Sequence, residues 1–227
     1  MSDLEIEALK LSLQVALAAV GFSLPIAILV AWVLARKTFP GKSFLDGFVH
    51  LPLILPPVVV GYVLLVGLGR NGIVGSFLFD TFGLTFAFTW KGAAVAAAVM
   101  AFPLMVRAIR LSLESVDQGL EQAARTLGAN PLRVFATVTL PLASPGILTG
   151  AILGFARSLG EFGATITFVS NIPGETRTLP IALYTLTQIP GGEAGAFRLV
   201  VISVIVALAA LLVSEMMARR LKSRLGG

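Results

Sequence analysis

The 227-residue chain is expected to fold as an all-α integral membrane protein of about five transmembrane helices, with its N-terminus outside and its C-terminus in the cytoplasm. Three observations carry this expectation. A hydrophobic fraction of 56%, a charged fraction of 13% and a mean hydropathy of +0.92 exceed what a water-facing domain needs for its core, so lipid must solvate much of the chain. A helix needs about 20 apolar residues to cross a hydrocarbon core of about 30 Å. Runs at 11–35, 51–68, 90–106, 145–169 and 199–218 approach that length. Cations collect after the first, third and fifth runs: Arg36, Lys37 and Lys42, then Arg107, Arg110, Arg125 and Arg133, then Arg219, Arg220, Lys222 and Arg224. By the positive-inside rule those positions are cytoplasmic. Because the cations sit at the ends of apolar runs and not on one soluble face, the calculated pI near 10.1 implies no nucleic-acid partner.

The first run follows an acidic segment (Asp3, Glu5, Glu7), precedes its cations and exceeds a typical signal core in length, so it reads as a retained span. The second contains Pro52, Pro56 and Pro57, each of which removes a backbone donor. Two readings fit: an irregular, internally packed span, or a proline-bearing cytoplasmic loop ahead of a helix starting near Val58. On the second reading His50 is an interfacial residue. Phe77, Phe79, Phe82, Phe86, Phe88 and Trp90 suggest an interfacial aromatic belt at the outer end of the third run.

The fourth run carries Arg157 and Glu161, four residues apart, which on a helix share a face and can pair, offsetting part of the cost of charge in the membrane. Ser158, Gly160, Gly163, Thr165 and Thr167 add small or polar surface that lets helices approach. Arg157, Ser158, Glu161 and Thr165 are candidates for a translocation pathway or gate; alternatively, Arg157 and Glu161 form a clamp between helices. The following segment has turn chemistry at Pro173-Gly174 and a helix start at Pro180, and belongs to the external surface. With no cysteine and one histidine, neither a disulfide framework nor a thiolate or multi-histidine metal site is available, and no set of catalytic groups is apparent.

The stretch from Glu121 to Pro141, EQAARTLGANPLRVFATVTLP, is a polar island between apolar runs. Glu121 to Leu127 are strong helix formers, Gly128 can end a helix at positive φ, and Pro131 can open another at its first turn. The expectation is helix, sharp turn, helix, presented to the cytoplasm. Glu121, Ala123, Ala124 and Gly128, followed by Val138, Leu140 and Pro141, resemble the E-A-A, G, I-x-L-P loop of ABC importer permeases; Gln122 stands within the first triplet and Val replaces Ile. The resemblance implies a type I (MetI-like) permease fold in one domain over 1–227, with the coupling loop at about 107–141 seated on an ATP-hydrolysing subunit. It also implies a homodimer, two ATPase subunits that hold ATP and magnesium, and an extracytoplasmic substrate-binding protein. The place implied is the cytoplasmic (inner) membrane of a prokaryote, crossed several times. The chain has no G-x-x-x-x-G-K-[ST] loop, so the energy must come from another subunit and no cofactor is expected on this one.

Gly160 to Ile166, Leu55 to Tyr62 and Phe102 to Arg110 look like the molybdate-type branch of oxyanion permeases, with the sulfate and tungstate branches as alternatives. An ATP-independent, ion-coupled transporter using Glu161 as a proton carrier is the competing class. The coupling loop and the lack of inverted repeats speak against it.

Overall fold

The computed structural model describes residues 2–225; the side chains of Arg219, Arg220, Lys222 and Arg224, used above for orientation, lie outside the described residues. The chain is a helical bundle built around two long helices, α1 (Asp3–Arg36) and α5 (Trp90–Ser115). α1 opens with a reciprocal cap: Ser2 Oγ accepts the Glu5 N–H at 3.4 Å and Glu5 Oε2 accepts the Ser2 N–H at 2.8 Å. Its buried residues, Ala8, Ser12, Val15, Ala19, Ser23, Ala27, Ala31 and Leu34, recur every three or four positions and so form one stripe. That stripe packs against α5, which answers with small side chains at Ala93, Ala96, Ala97 and Ala101. Leu17, Phe22, Ile26 and Leu29 of α1 are exposed, an apolar surface that suits lipid and not water.

α9 (Ser144–Leu159) completes the central trio and packs on both α1 and α5. Gly146, Gly150 and Gly154 repeat every fourth residue and face Ser112, Ile109 and Met105 of α5. A β-carbon at Gly146 would collide with Ser112 Cβ, so the two backbones approach only because these positions are glycine.

The apolar run at 51–68 is not one continuous helix. α2 (Lys42–Ile54) stops before Leu55 and Pro56, whose backbones are extended (ψ 142° and 134°), and α3 (Pro57–Leu68) leaves at 113° to it. Consecutive prolines explain the break: each biases the residue before it out of the helical region, and Pro57 then serves as the first residue of α3. The helix start near Val58 is therefore close to the observed one, but the segment before it is a helix that tolerates Pro52, not a loop.

A second correction concerns 145–169. α9 ends at Leu159, Gly160 caps it, and a separate short helix, α10 (Gly163–Val169), packs onto α3 and α5. α4 (Ile73–Phe82) occupies part of the segment read as an aromatic belt. There the Phe77 and Phe82 rings meet edge-on at 6.4 Å, and the Arg70 guanidinium lies 4.3 Å from the Phe79 ring centre. α6 (Gln118–Thr126), α7 (Pro131–Val134), a π turn (Phe135–Thr139) and α8 (Leu140–Leu142) form the polar loop, and α11 (Leu179–Thr187) and α12 (Glu193–Leu225) close the chain.

By length and composition, α1, α5 and Glu193–Ala210 can each cross a membrane alone. The number reaches five only if the bent pairs, α2 with α3 and Pro131–Leu142 with α9 (68°), each count as one span.

Cross-links sort the chain into two ends. At one, Arg110 of α5 meets Asp46 of α2 (3.1 Å) and Glu114 (2.8 Å), and Arg36 of α1 meets Glu121 of α6 (2.9 Å). At the other, Glu5 of α1 meets Arg198 of α12 (2.7 Å), Ser12 Oγ accepts the Leu179 N–H (2.7 Å), and Glu175 accepts the N–H of Trp90 (3.1 Å).

Candidate functional site

Two groups of residues singled out in the sequence occupy separate parts of the molecule. The first is the loop that follows α5. Asp117 caps α6 by accepting the Gly119 N–H at 2.8 Å. Gly128 then takes φ +84°, a conformation that strains any side-chain-bearing residue, and turns the chain back. Asn130 caps the next leg by accepting the Arg133 N–H at 2.8 Å, and Pro131 is its first residue. The helix, turn and helix expected from the sequence are all present. The π turn that follows was not expected, and nothing in Phe-Ala-Thr-Val-Thr announces it. Such widened turns are frequent at functional positions.

Within this loop the singled-out residues divide by direction. Ala123, Gly128 and Pro141 are exposed, Ala124 and Leu140 are half-buried, and Glu121 is buried. Leu127 and Leu132 are 88% and 77% exposed on either side of the turn, an apolar tip that a solvated loop would not favour and a docked one would. Glu121 faces inward instead. Its Oε1 accepts from Arg36 Nη2 at 2.9 Å and from the Thr139 hydroxyl at 2.8 Å, and Arg36 Nη2 also donates to the Val116 carbonyl at 3.2 Å. Beside this cluster, between the C-terminal end of α1 and α6, lies a cavity of about 240 Å³ lined by Arg36, Lys37 and Arg125, with Glu121 its one carboxylate. Sequence reasoning assigned Arg36 to the cation pattern and missed this partnership, because the two residues are 85 positions apart.

The second group surrounds the α9–α10 break. Arg157 Nη1 lies 2.5 Å from Glu161 Oε2, so the pair anticipated from the four-residue spacing exists. It does not, however, sit on one continuous helix: Glu161 lies past the end of α9, and its Oε1 accepts the Ala164 N–H at 2.9 Å, satisfying a donor in the first turn of α10. This second task explains why the helix stops there, since a carboxylate bonded to a free N–H stabilises a new helix start. The Glu161 side chain is 1% exposed and that of Arg157 29%, so the buried anion depends on a partly exposed cation. Ser158 and Thr165 are buried close by in sequence, and Ser158 Oγ has no hydrogen-bond partner. Gly163 abuts Pro57, and Gly61 of α3 lies against the Ala164 backbone, so the break is braced on the proline-marked end of α3.

Comparison with known proteins gives a consistent picture. Residues 8–225 match the family described as the binding-protein-dependent transport system inner membrane component. The chain is 65% identical over 226 residues to the molybdenum transport system permease protein ModB of Escherichia coli, covering 100% of this chain and 99% of that one. It is 60% identical over 223 residues to ModB of Haemophilus influenzae (98% and 97% covered). The sulfate transport system permease protein CysT of Salmonella typhimurium is 39% identical over 183 residues (81% and 66%). Among solved structures, an inward-facing MetNI methionine ABC transporter superposes with a TM-score of 0.77 at 19% identity, covering 97% of this chain and 99% of that one. A bacterial ABC transporter that imports alginate gives 0.76 at 20% identity (97% and 80%). Those two likenesses establish the type I importer permease fold.

Proposed function

Because the chain belongs to the family of inner membrane components of binding-protein-dependent transport systems, we propose that it is the permease subunit of an ATP-driven importer for molybdate. The observation that carries the substrate is the 65% identity over the full length to a molybdenum permease, against 39% over a shorter stretch to a sulfate permease. The chain is the conduit and not the engine.

On this reading the permease is a homodimer in the cytoplasmic membrane, joined inside by two ATPase subunits that carry ATP and magnesium and outside by a substrate-binding protein. The end bearing α6 and α7 is cytoplasmic, as the cations Arg36, Lys37, Arg125 and Arg133 suggest. Leu127, Leu132 and the exposed residues Ala123 and Gly128 form the surface that docks on the ATPase. When the ATPase pair closes, the loop is carried with it. Because Thr139 and Leu140 lead through α8 directly into α9, that displacement reaches the α9–α10 break, where Arg157, Ser158, Glu161 and Thr165 stand. A partly exposed guanidinium at that break would attract an oxyanion, while its tie to Glu161 limits how tightly the anion is held. Weak retention favours release, so selectivity rests mainly with the binding protein.

A role for Glu161 as a mobile proton carrier fits less well, because its two oxygens serve Arg157 and the Ala164 N–H. The test is uptake of labelled molybdate by the purified complex in vesicles, with sulfate and tungstate as competitors. ATP-dependent uptake displaced weakly by sulfate supports the assignment. Uptake that needs no ATP, or that sulfate displaces more effectively than molybdate itself, refutes it.

A further inference from the structure

We propose that Arg36 is a positioning residue for energy coupling: through Glu121 it locks the inner end of α1 to both legs of the polar loop, so that α1 and the loop move as one body. The inference rests on the permease reading above.

Four contacts support it. Only Val116 and Asp117 separate the end of α5 from the start of α6, a two-residue hinge about which the loop could pivot. Arg36 Nη2 takes the carbonyl of Val116 in that hinge (3.2 Å) and the carboxylate of Glu121 in the first leg (2.9 Å). The same carboxylate oxygen accepts the hydroxyl of Thr139 at the end of the second leg (2.8 Å). One turn before Arg36 on α1, Trp32 meets Phe135 edge-on with ring centres 5.8 Å apart, at the other end of the same π turn. At the two ends of the π turn, Phe135 thus meets α1 directly and Thr139 is joined to it through Glu121.

The lock is dry. The side chains of Arg36 and Glu121 are 9% and 11% exposed, and Thr139 is 2% exposed. A charge-assisted contact shielded from water is directional and hard to exchange, unlike a surface pair. Glu121 is thus spent inside the chain, and the surface left for a partner is formed by its exposed neighbours. Since α1 packs along both α5 and α9, a push on the loop that is rigidly tied to α1 reaches the bundle. A loop free to turn at Val116–Asp117 would absorb the push.

The experiment uses the complex of permease and ATPase in vesicles and reads molybdate taken up per ATP hydrolysed. Arg36→Gln and Glu121→Gln are each expected to leave ATP hydrolysis near wild type while lowering uptake per ATP about tenfold, within the range of ordinary coupling between sites. The double variant is expected to be no worse than either single one, because both act through one contact. Thr139→Val, which keeps the shape and loses the hydroxyl, is expected to move the ratio in the same direction by less. Normal uptake per ATP in the single variants overturns the proposal, as do strictly additive losses. If Arg36→Gln fails to assemble while Thr139→Val transports normally, the contact is merely structural and the proposal also falls. A wild-type complex that shows no ATP-driven molybdate uptake would instead refute the assignment of function, so the two failures are distinguishable.

Discussion

Glu161 stands just beyond the capped end of the helix that carries Arg157, and the two side chains meet at 2.5 Å across that end. One carboxylate therefore serves two elements, closing the charge of α9 and capping α10. Glu161→Gln retains an acceptor for Ala164 but strands Arg157. Breaking a buried pair costs about 3–5 kcal/mol, and because only Glu161 of the two is fully buried the expected cost lies near the lower figure. The melting temperature of the purified complex should fall and molybdate uptake should decline. Unchanged values of both would show that the pair is dispensable.

The glycine stripe of α9 makes a separate prediction. In Gly146→Ala the new methyl group meets Ser112 Cβ and lies close to the Ala108 carbonyl, so the helices must separate. Overpacking of this kind costs about 1–3 kcal/mol. The melting temperature of the variant in detergent should drop, and Ser112→Gly in the same chain should restore most of it. Failure of the second change to rescue the first would place the strain elsewhere.

At the opposite end, the Glu5 carboxyl is held below the usual carboxylate range, chiefly by the hydrogen bond from Arg198 and next by the Ser2 N–H. Glu5 lies ahead of the apolar run that begins at Leu11. A depressed carboxylate stabilises the fold fully above its unfolded pKa of about 4.3 and loses that contribution as pH falls through the folded value. Wild type should therefore melt higher than Glu5→Gln at pH 7, and the gap should close on acidification below about pH 4. A gap that stays constant or widens in acid would contradict the assignment.

Orientation can be measured cleanly because the chain has no cysteine. Leu127→Cys at the tip of the polar loop should react with an impermeant maleimide only in inverted vesicles, in the chain expressed without its ATPase. Pro173→Cys in the loop before α11 should react in intact cells. The reverse pattern would invert the topology proposed here.

How much of this was legible in the sequence follows from the range of each signal. The turn at Gly128 and the start at Pro131 were readable because positive φ and a missing N–H are properties of single residues. The apolar runs were readable because lipid demands length, but hydropathy is blind to direction. It therefore merged α9 with α10 and joined the proline-rich segment to α3, although Gly160 and Pro56 mark both breaks. α4 escaped because ten residues are too few to announce a span. The Arg157–Glu161 pair was visible at a spacing of four. Arg36–Glu121 was not, since no local pattern connects residues 85 apart.

The central claim, that the polar loop transmits ATP-driven motion to a bundle with no ATPase site of its own, is tested most directly by Gly128→Pro. Proline fixes φ near −65°, where the native turn has +84°, and removes the N–H that bonds the Arg125 carbonyl at 3.0 Å. The turn is exposed and distant from the bundle core, so the membrane part should fold. In the reconstituted complex, ATP hydrolysis should persist while molybdate uptake per ATP collapses. Uptake at the wild-type ratio would contradict the account.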